Sequence, residues 1–179
     1  MNSFIDRRAL APVCASLILL LCTFNLSCSS NPCSPVFSAA AKLKSTNFHS
    51  FGSAEEPDGS EITTENILIN GTAYTTDHGN WIVNDSHDEG IDGVLSRFKT
   101  SANISCRLEN TEVIDGENTD HYVTEGKWRE INVHGQYWVS KNTGLLLRAK
   151  FKSDAGHGVK SGVSIRYEYT NITAPIVSK

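Results

Sequence analysis

Tyr137-Trp138-Val139-Ser140-Lys141-Asn142-Thr143-Gly144-Leu145-Leu146-Leu147-Arg148-Ala149-Lys150-Phe151-Lys152 is the stretch that decides the fold. Tyr137 to Ser140 has the aromatic and β-branched content of a strand, and Lys141 to Gly144 supplies turn chemistry ending on a glycine. From Leu145 the period is two: Leu145, Leu147, Ala149 and Phe151 alternate with Leu146, Arg148, Lys150 and Lys152. Successive strand side chains point to opposite faces, so this strand offers one apolar face and one charged face. Past Gly156, Gly158 and Gly162 the pattern returns, with Val163, Ile165, Tyr167 and Tyr169 alternating with Ser164, Arg166, Glu168 and Thr170. Leu147, Ala149, Phe151, Val163, Ile165 and Tyr167 are thus expected on one apolar sheet face, as a ligand-binding surface or as plain core.

Towards the N-terminus the same chemistry repeats. Asn70-Gly71 lies between Ile62–Ile69 and Thr72–Thr76, and Asn-Gly tolerates the positive φ of a tight hairpin turn. That turn sets Ile69 opposite Thr72 and Ile67 opposite Tyr74, one apolar cross-strand face. Asp77-His78-Gly79 turns the chain again into Asn80–Val83. Ile104 to Leu108, Thr111 to Ile114, His121 to Val123 and Trp128 to Val133 read as further strands, with a turn at Asp115-Gly116. Ile91, Val94, Leu95 and Phe98 recur at helical spacing. Pro35 to Lys44 reads as a short helix with Val36, Phe37, Ala40 and Leu43 on its apolar side. A polar loop containing Gly52, Pro57, Asp58 and Gly59 follows it. The fold class is α+β, an antiparallel sheet with short helices.

The first residues are an export signal. Arg7 and Arg8 precede the apolar run Val13–Leu26, and no charge follows them until Lys42. The run is short of the ~20 residues of a spanning helix. Asn25-Leu26-Ser27-Cys28 resembles the lipobox of bacterial lipoproteins, although Asn25 stands where an aliphatic residue is preferred. The expectation is a signal peptide over 1–27, lipidation at Cys28, a tether over 28–35 and a single domain over 36–179. Ordinary cleavage near Ser38-Ala39-Ala40 is the alternative. Lipidation would hold the protein to a membrane without a spanning helix. Cys14 and Cys22 leave with the signal, so Cys33 and Cys106 remain as a disulfide in an oxidising compartment or as two unpaired thiols.

The 179 residues suit one domain, and 39% hydrophobic with 20% charged residues marks a globular chain. A net charge of −4 argues against nucleic acid as a partner, since phosphate backbones require basic patches. There is no Cys/His metal spacing, no phosphate-binding loop and no dinucleotide fingerprint, so neither a metal nor a cofactor is expected. Ser96-Arg97-Phe98-Lys99 matches S-x-x-K, but at the end of a weak helix rather than its start. His49, His78, His87, His121, His134 and His157 show no ligand spacing, and His78, His87 and Asp88 read as solvated loop residues. The sequence offers no catalytic constellation, and the protein is expected not to be an enzyme.

Three stretches carry a family resemblance. Asn70-Gly71-Thr72-Ala73-Tyr74 followed by Gly79-Asn80-Trp81 resembles a hairpin of bacterial envelope proteins. More specifically, Trp138-Val139 with Thr143-Gly144-Leu145 and Arg148 resembles the W-V-x-x-x-T-G-L-P-x-R strand pair of the outer-membrane lipoprotein carrier and receptor (LolA/LolB-like) superfamily. The closing Tyr167-Glu168-Tyr169-Thr170-Asn171-Ile172-Thr173-Ala174-Pro175-Ile176 is similar to the terminal strand of exported members. The resemblance implies a strongly curved antiparallel sheet, an incomplete barrel, with short helices on its concave side. It also implies a hollow for a lipid or another apolar ligand, bound non-covalently. Leu146 stands where the motif often has proline, and the carrier's arginine latch has no counterpart, so ligand binding rather than lipoprotein transfer is the expectation. The protein is then placed in the periplasm or anchored as a lipoprotein in the bacterial envelope, with another envelope protein as a further partner. The alternative is a structural or partner-binding envelope module without a ligand cavity.

Overall fold

A computed structural model of the chain describes residues 31–56, 58–84, 104–128, 131–154 and 160–177. Cys28, the signal segment, the helical pattern at Ile91–Phe98, the S-x-x-K match, His87, Asp88 and His157 lie outside the described residues.

The described chain opens with α1 (Ser34–Lys42), with proline in its first turn and Lys42 in its last. Val36, Ala39, Ala40 and Leu43 are its buried residues, spaced i, i+3, i+4, i+7 as one helix face requires. Ala39 thus takes the place expected of Phe37, which is only half-buried.

Nine strands follow: β1 (Phe48–Glu55), β2 (Glu61–Ile69), β3 (Thr72–Asp77), β4 (Asn80–Val83), β5 (Ser105–Ile114), β6 (Glu117–Trp128), β7 (Ile131–Ser140), β8 (Leu146–Asp154) and β9 (Lys160–Glu168). They form one antiparallel sheet in the order β4-β3-β2-β1-β9-β8-β7-β6-β5. β4 and β5 are its two edges, and the sheet is not closed. The turns follow from backbone chemistry. Asn70, His78 and Asp115 have φ of 52°, 48° and 51°, each followed by a glycine at 80–83°. Asn, Asp and Gly enter this left-handed region most readily. Ile69 faces Thr72 and Ile67 faces Tyr74, as the Asn70-Gly71 turn requires.

The structure corrects the sequence reading at four places. Phe48–Glu55, read as loop, is β1, a central strand between β2 and β9. Its His, Ser and Gly content hides it, yet small residues are what the site accepts: Ser50 is buried, and a Cβ on Gly52 would come within 3.0 Å of the Thr64 methyl. The two short strands across Ile104–Ile114 are one strand, interrupted by a bulge between Leu108 and Asn110. The strand read across Trp128–Val133 divides between two: Trp128 ends β6 and pairs with Ile131, which begins β7 and is followed there by Asn132 and Val133. The fourth concerns the leucines of β8. Val139 pairs with Leu146 and Trp138 with Arg148, so Leu147 is the extra residue of a bulge. Strict alternation puts Leu147 inside, whereas Leu146 is the fully buried one.

Residues directly opposite in an antiparallel pair share a face. Tyr122, Tyr137, Ala149 and Ile165 therefore lie side by side on one face, and α1 packs there against β7 and β8. Val36, Ala39, Tyr137, Leu146 and Ala149 are wholly removed from solvent at this contact. Each large side chain buried so stabilises the fold by roughly 1.5–3 kcal/mol. Two further ties hold the helix. Cys33, immediately before it, forms a disulfide with Cys106 of β5, with Cα atoms 5.1 Å apart. At its other end the Lys42 ammonium donates to the Thr143 carbonyl at 2.6 Å.

Candidate functional site

On the helix-bearing face the sheet is aromatic. Tyr137 meets Phe151 edge-on at 5.4 Å, Phe48 meets Tyr167 edge-on at 5.5 Å, and Tyr169 stacks on Tyr167 at 6.4 Å. Gly135 makes room for the Tyr137 ring, since a Cβ there would lie 2.7 Å from it. Burial pushes the Tyr137 hydroxyl above the ordinary tyrosine range, partly offset by Thr124, and raises Tyr169 for the same reason. The Tyr169 hydroxyl donates to the Leu146 carbonyl at 2.5 Å.

The six residues expected on the apolar face separate into groups. Ala149 and Tyr167 are buried in the core beneath the helix, with Phe151 and Ile165 half-buried against it. Val163 is half-buried beside Phe151, its partner across β8 and β9. Leu147 is displaced into the bulge, outside the packed cluster. The sequence reading missed Tyr122 and Tyr137, which the cross-strand register sets in line with Ala149. Alternation counted back from Val139 through Tyr137 was the available signal.

The helix covers only part of this face. One row of directly opposed residues runs Ile62–Ala54–Val163–Phe151 across β2, β1, β9 and β8. Its outermost member, Ile62, is 54% exposed, and Leu108 and Val113 of β5 on the same face are 55% and 64% exposed. Scattered apolar residues are ordinary on protein surfaces, but a continuous row beside a buried core is not.

The opposite face is polar with aromatic inclusions. His121 stacks flat on Trp138 at 4.3 Å, the Trp138 indole N–H donates to Glu112 at 2.5 Å, and Arg148 and Lys150 approach the same ring at 5.9 Å each. Arg166 lies 4.5 Å from the Phe51 ring centre and pairs with Glu168. Ile67 is buried on this face beside His49 and Tyr74. Among the described residues no group of three or more His, Cys, Asp or Glu side chains is placed to hold a metal ion.

No protein-family model matches the chain, and no curated protein matches it. Solved structures do. Lipoprotein LppX of Mycobacterium tuberculosis is 15% identical over 78% of this chain and 96% of its own, with a TM-score of 0.44. MucB of Pseudomonas aeruginosa, in its complex with MucA, is 11% identical over 81% of this chain and 59% of its own, with a TM-score of 0.48. A LolA superfamily protein from Nitrosomonas europaea is 11% identical over 76% of this chain and 91% of its own, with a TM-score of 0.26. No helix among the described residues is long and apolar enough to cross a membrane.

Proposed function

We propose that the chain is an exported envelope protein, tethered through a lipid on Cys28 after removal of residues 1–27, that binds a lipid or other apolar ligand non-covalently. Residues 36–179 form the binding domain, and the ligand lies on the helix-bearing face of the sheet. The observation that supports this reading is the row Ile62–Ala54–Val163–Phe151, which among the described residues runs from the half-buried Phe151 beside the core out to the exposed Ile62. In this reading the sheet curves around α1, so that the row lines the mouth of a hollow and Phe151, Val163 and Ile165 meet the ligand. Its role is holding, not turnover.

Mass spectrometry under native conditions, on protein purified gently from its envelope, tests the proposal. Bound lipid is expected, along with the mass of a diacylglyceryl group on Cys28. Ile62→Asp puts a charge on the exposed end of the row without touching the core, and it should strip the ligand while leaving the melting temperature within ~2 °C. Protein that carries no lipid at stoichiometric sensitivity refutes the ligand reading.

A partner-binding module is the second reading, favoured by the filled helix–sheet contact, where Val36, Ala39, Tyr137, Leu146 and Ala149 leave no solvent-accessible surface. There the ten-residue strand β5, an edge of the sheet among the described residues, pairs with another envelope protein. Ile62→Asp then changes no lipid content, because none is present.

A further inference from the structure

A cavity of about 420 Å³ opens on the sheet face opposite α1, and its construction follows from register. Lys152 is paired with Gly162, Gly162 with Glu55, and Glu55 with Glu61, so these four stand in one row across β8, β9, β1 and β2. The next row sets Lys150, Ser164 and Ser53 side by side. The floor is therefore a glycine and two serines, with two lysines forming one wall and two glutamates the other. All of them line the cavity.

None of the four charges is neutralised by an opposite charge among the described residues, although Lys150 also lies 5.9 Å from the Trp138 ring. No ion pair among the described residues engages Lys150, Lys152, Glu55 or Glu61. Glu55 and Glu61 are directly opposed like charges, an arrangement that destabilises a sheet unless a cation joins them. Lys150 and Lys152 sit two residues apart on one side of β8 and repel in the same way. The gap persists because Gly162 has no side chain to fill it: a Cβ there would still be 3.8 Å from the Glu55 carboxylate, which leans over the glycine. Two strand spacings, about 9.6 Å, separate β8 from β1. The lysines and the glutamates thus stand on opposite sides of the Gly162 floor.

We propose that this cavity binds a small zwitterion with an anionic phosphate at one end and a primary ammonium at the other, of which the phosphoethanolamine group is the test case. The phosphate takes Lys150 and Lys152, with the Ser164 and Ser53 hydroxyls as further donors. The ammonium takes Glu55 and Glu61. Two lysines against one anion favour phosphate over a carboxylate, and two carboxylates exclude a quaternary amine, which has no N–H to donate. The group can arrive free or as a lipid headgroup, and the charged walls lie across the sheet from the apolar face, with Phe151 and Val163 also lining the cavity.

The test is an NMR titration of the purified protein with O-phosphoethanolamine, following the Gly162 and Ser164 amides. Saturable shifts are expected, with inorganic phosphate and ethanolamine each binding at least tenfold more weakly. Glu55→Gln and Lys152→Ala should each cost about tenfold in affinity, and Gly162→Leu should abolish binding by filling the floor, all with unchanged melting temperature. Co-sedimentation with phosphatidylcholine liposomes, with and without phosphatidylethanolamine, separates the sources. Binding only to the phosphatidylethanolamine liposomes, lost in the same variants, assigns the headgroup; binding of the free compound, lost likewise, assigns the soluble zwitterion. Equal affinity for inorganic phosphate, indifference to Glu55→Gln, or no response to either source overturns the proposal.

Discussion

Leu146→Ala and Leu147→Ala delete the same atoms from adjacent positions, and the bulge in β8 makes their costs very different. Leu146 has no exposed surface and lies between α1, Val139 and Ala149, where the helix and disulfide keep the surroundings from collapsing. Truncation there loses the transfer free energy of the side chain and leaves a cavity, together about 3 kcal/mol within a usual span of ~2–5. Leu147 is half-exposed at the bulge, so its truncation loses about 1 kcal/mol or less. For a domain of this size ~2–4 °C accompany each kcal/mol, which puts Leu146→Ala some 6–12 °C below the parent protein and Leu147→Ala within ~4 °C of it. Urea titration followed by tryptophan fluorescence, with the disulfide intact, gives both free energies from midpoints at constant slope. Unbulged alternation would exchange the two values. A larger loss for Leu147→Ala than for Leu146→Ala refutes the register described for β8.

Three other outcomes follow from the structure. Reduction of Cys33–Cys106, which spans 73 residues, should lower stability by about 4 kcal/mol by loop entropy, read as a shift in the urea midpoint with reductant; an unchanged midpoint would show that the bridge constrains nothing. Gly144→Ala meets two obstacles, a φ of +65° and a Cβ position 2.7 Å from the Lys42 ammonium. It should cost ~1–2 kcal/mol and speed amide exchange in the last turn of α1, whereas Lys42→Met should speed that exchange with little cost; protection left intact in both would remove Lys42 as a tie. Burial raises the Tyr137 and Tyr169 hydroxyls in the folded state, so the unfolded chain sheds these protons first as pH rises past ~10. Stability is then complete below pH ~10 and falls above it by up to ~1.4 kcal/mol per pH unit for each such tyrosine, a slope that Tyr137→Phe should reduce by one tyrosine's share in urea midpoints taken between pH 9 and 12.

Legibility in the sequence tracked the strength of local chemistry. Asn70-Gly71 could be read to the register because backbone sterics alone choose the turn, and the pairs Ile69–Thr72 and Ile67–Tyr74 follow. Which side of the sheet Ile67 faces could not be read, because that depends on α1 packing against distant β7 and β8. β1 was invisible because its place is set by partners on both sides, not by its own hydrophobicity; Ser50 and Gly52 suit a crowded centre that the sequence does not display. The bulge at Leu147 was hidden because three consecutive leucines carry no period. The candidate face divided likewise. Ala149, Phe151, Ile165 and Tyr167 obey a period of two, while the charged cavity opposite arises from Lys152, Gly162, Glu55 and Glu61, which lie up to 107 positions apart in the chain and meet only through the sheet order.

The strand order has a temporal consequence. β1–β4 and β5–β9 are each built of neighbours in sequence, so each meander can pair as soon as its own residues are available. The seam between them, β1 against β9, joins His49 to Glu168 and cannot form until nearly the whole chain is present. The most remote strand pairing among the described residues sits at the middle of the sheet, not at its rim, so assembly resembles closing a zip from its last tooth. A polypeptide threaded through a membrane N-terminus first would hold β1 with one flank bare until β9 emerged. During that interval the first meander would be a sheet with an open centre, dependent on quick delivery of the final strand or on a chaperone covering it.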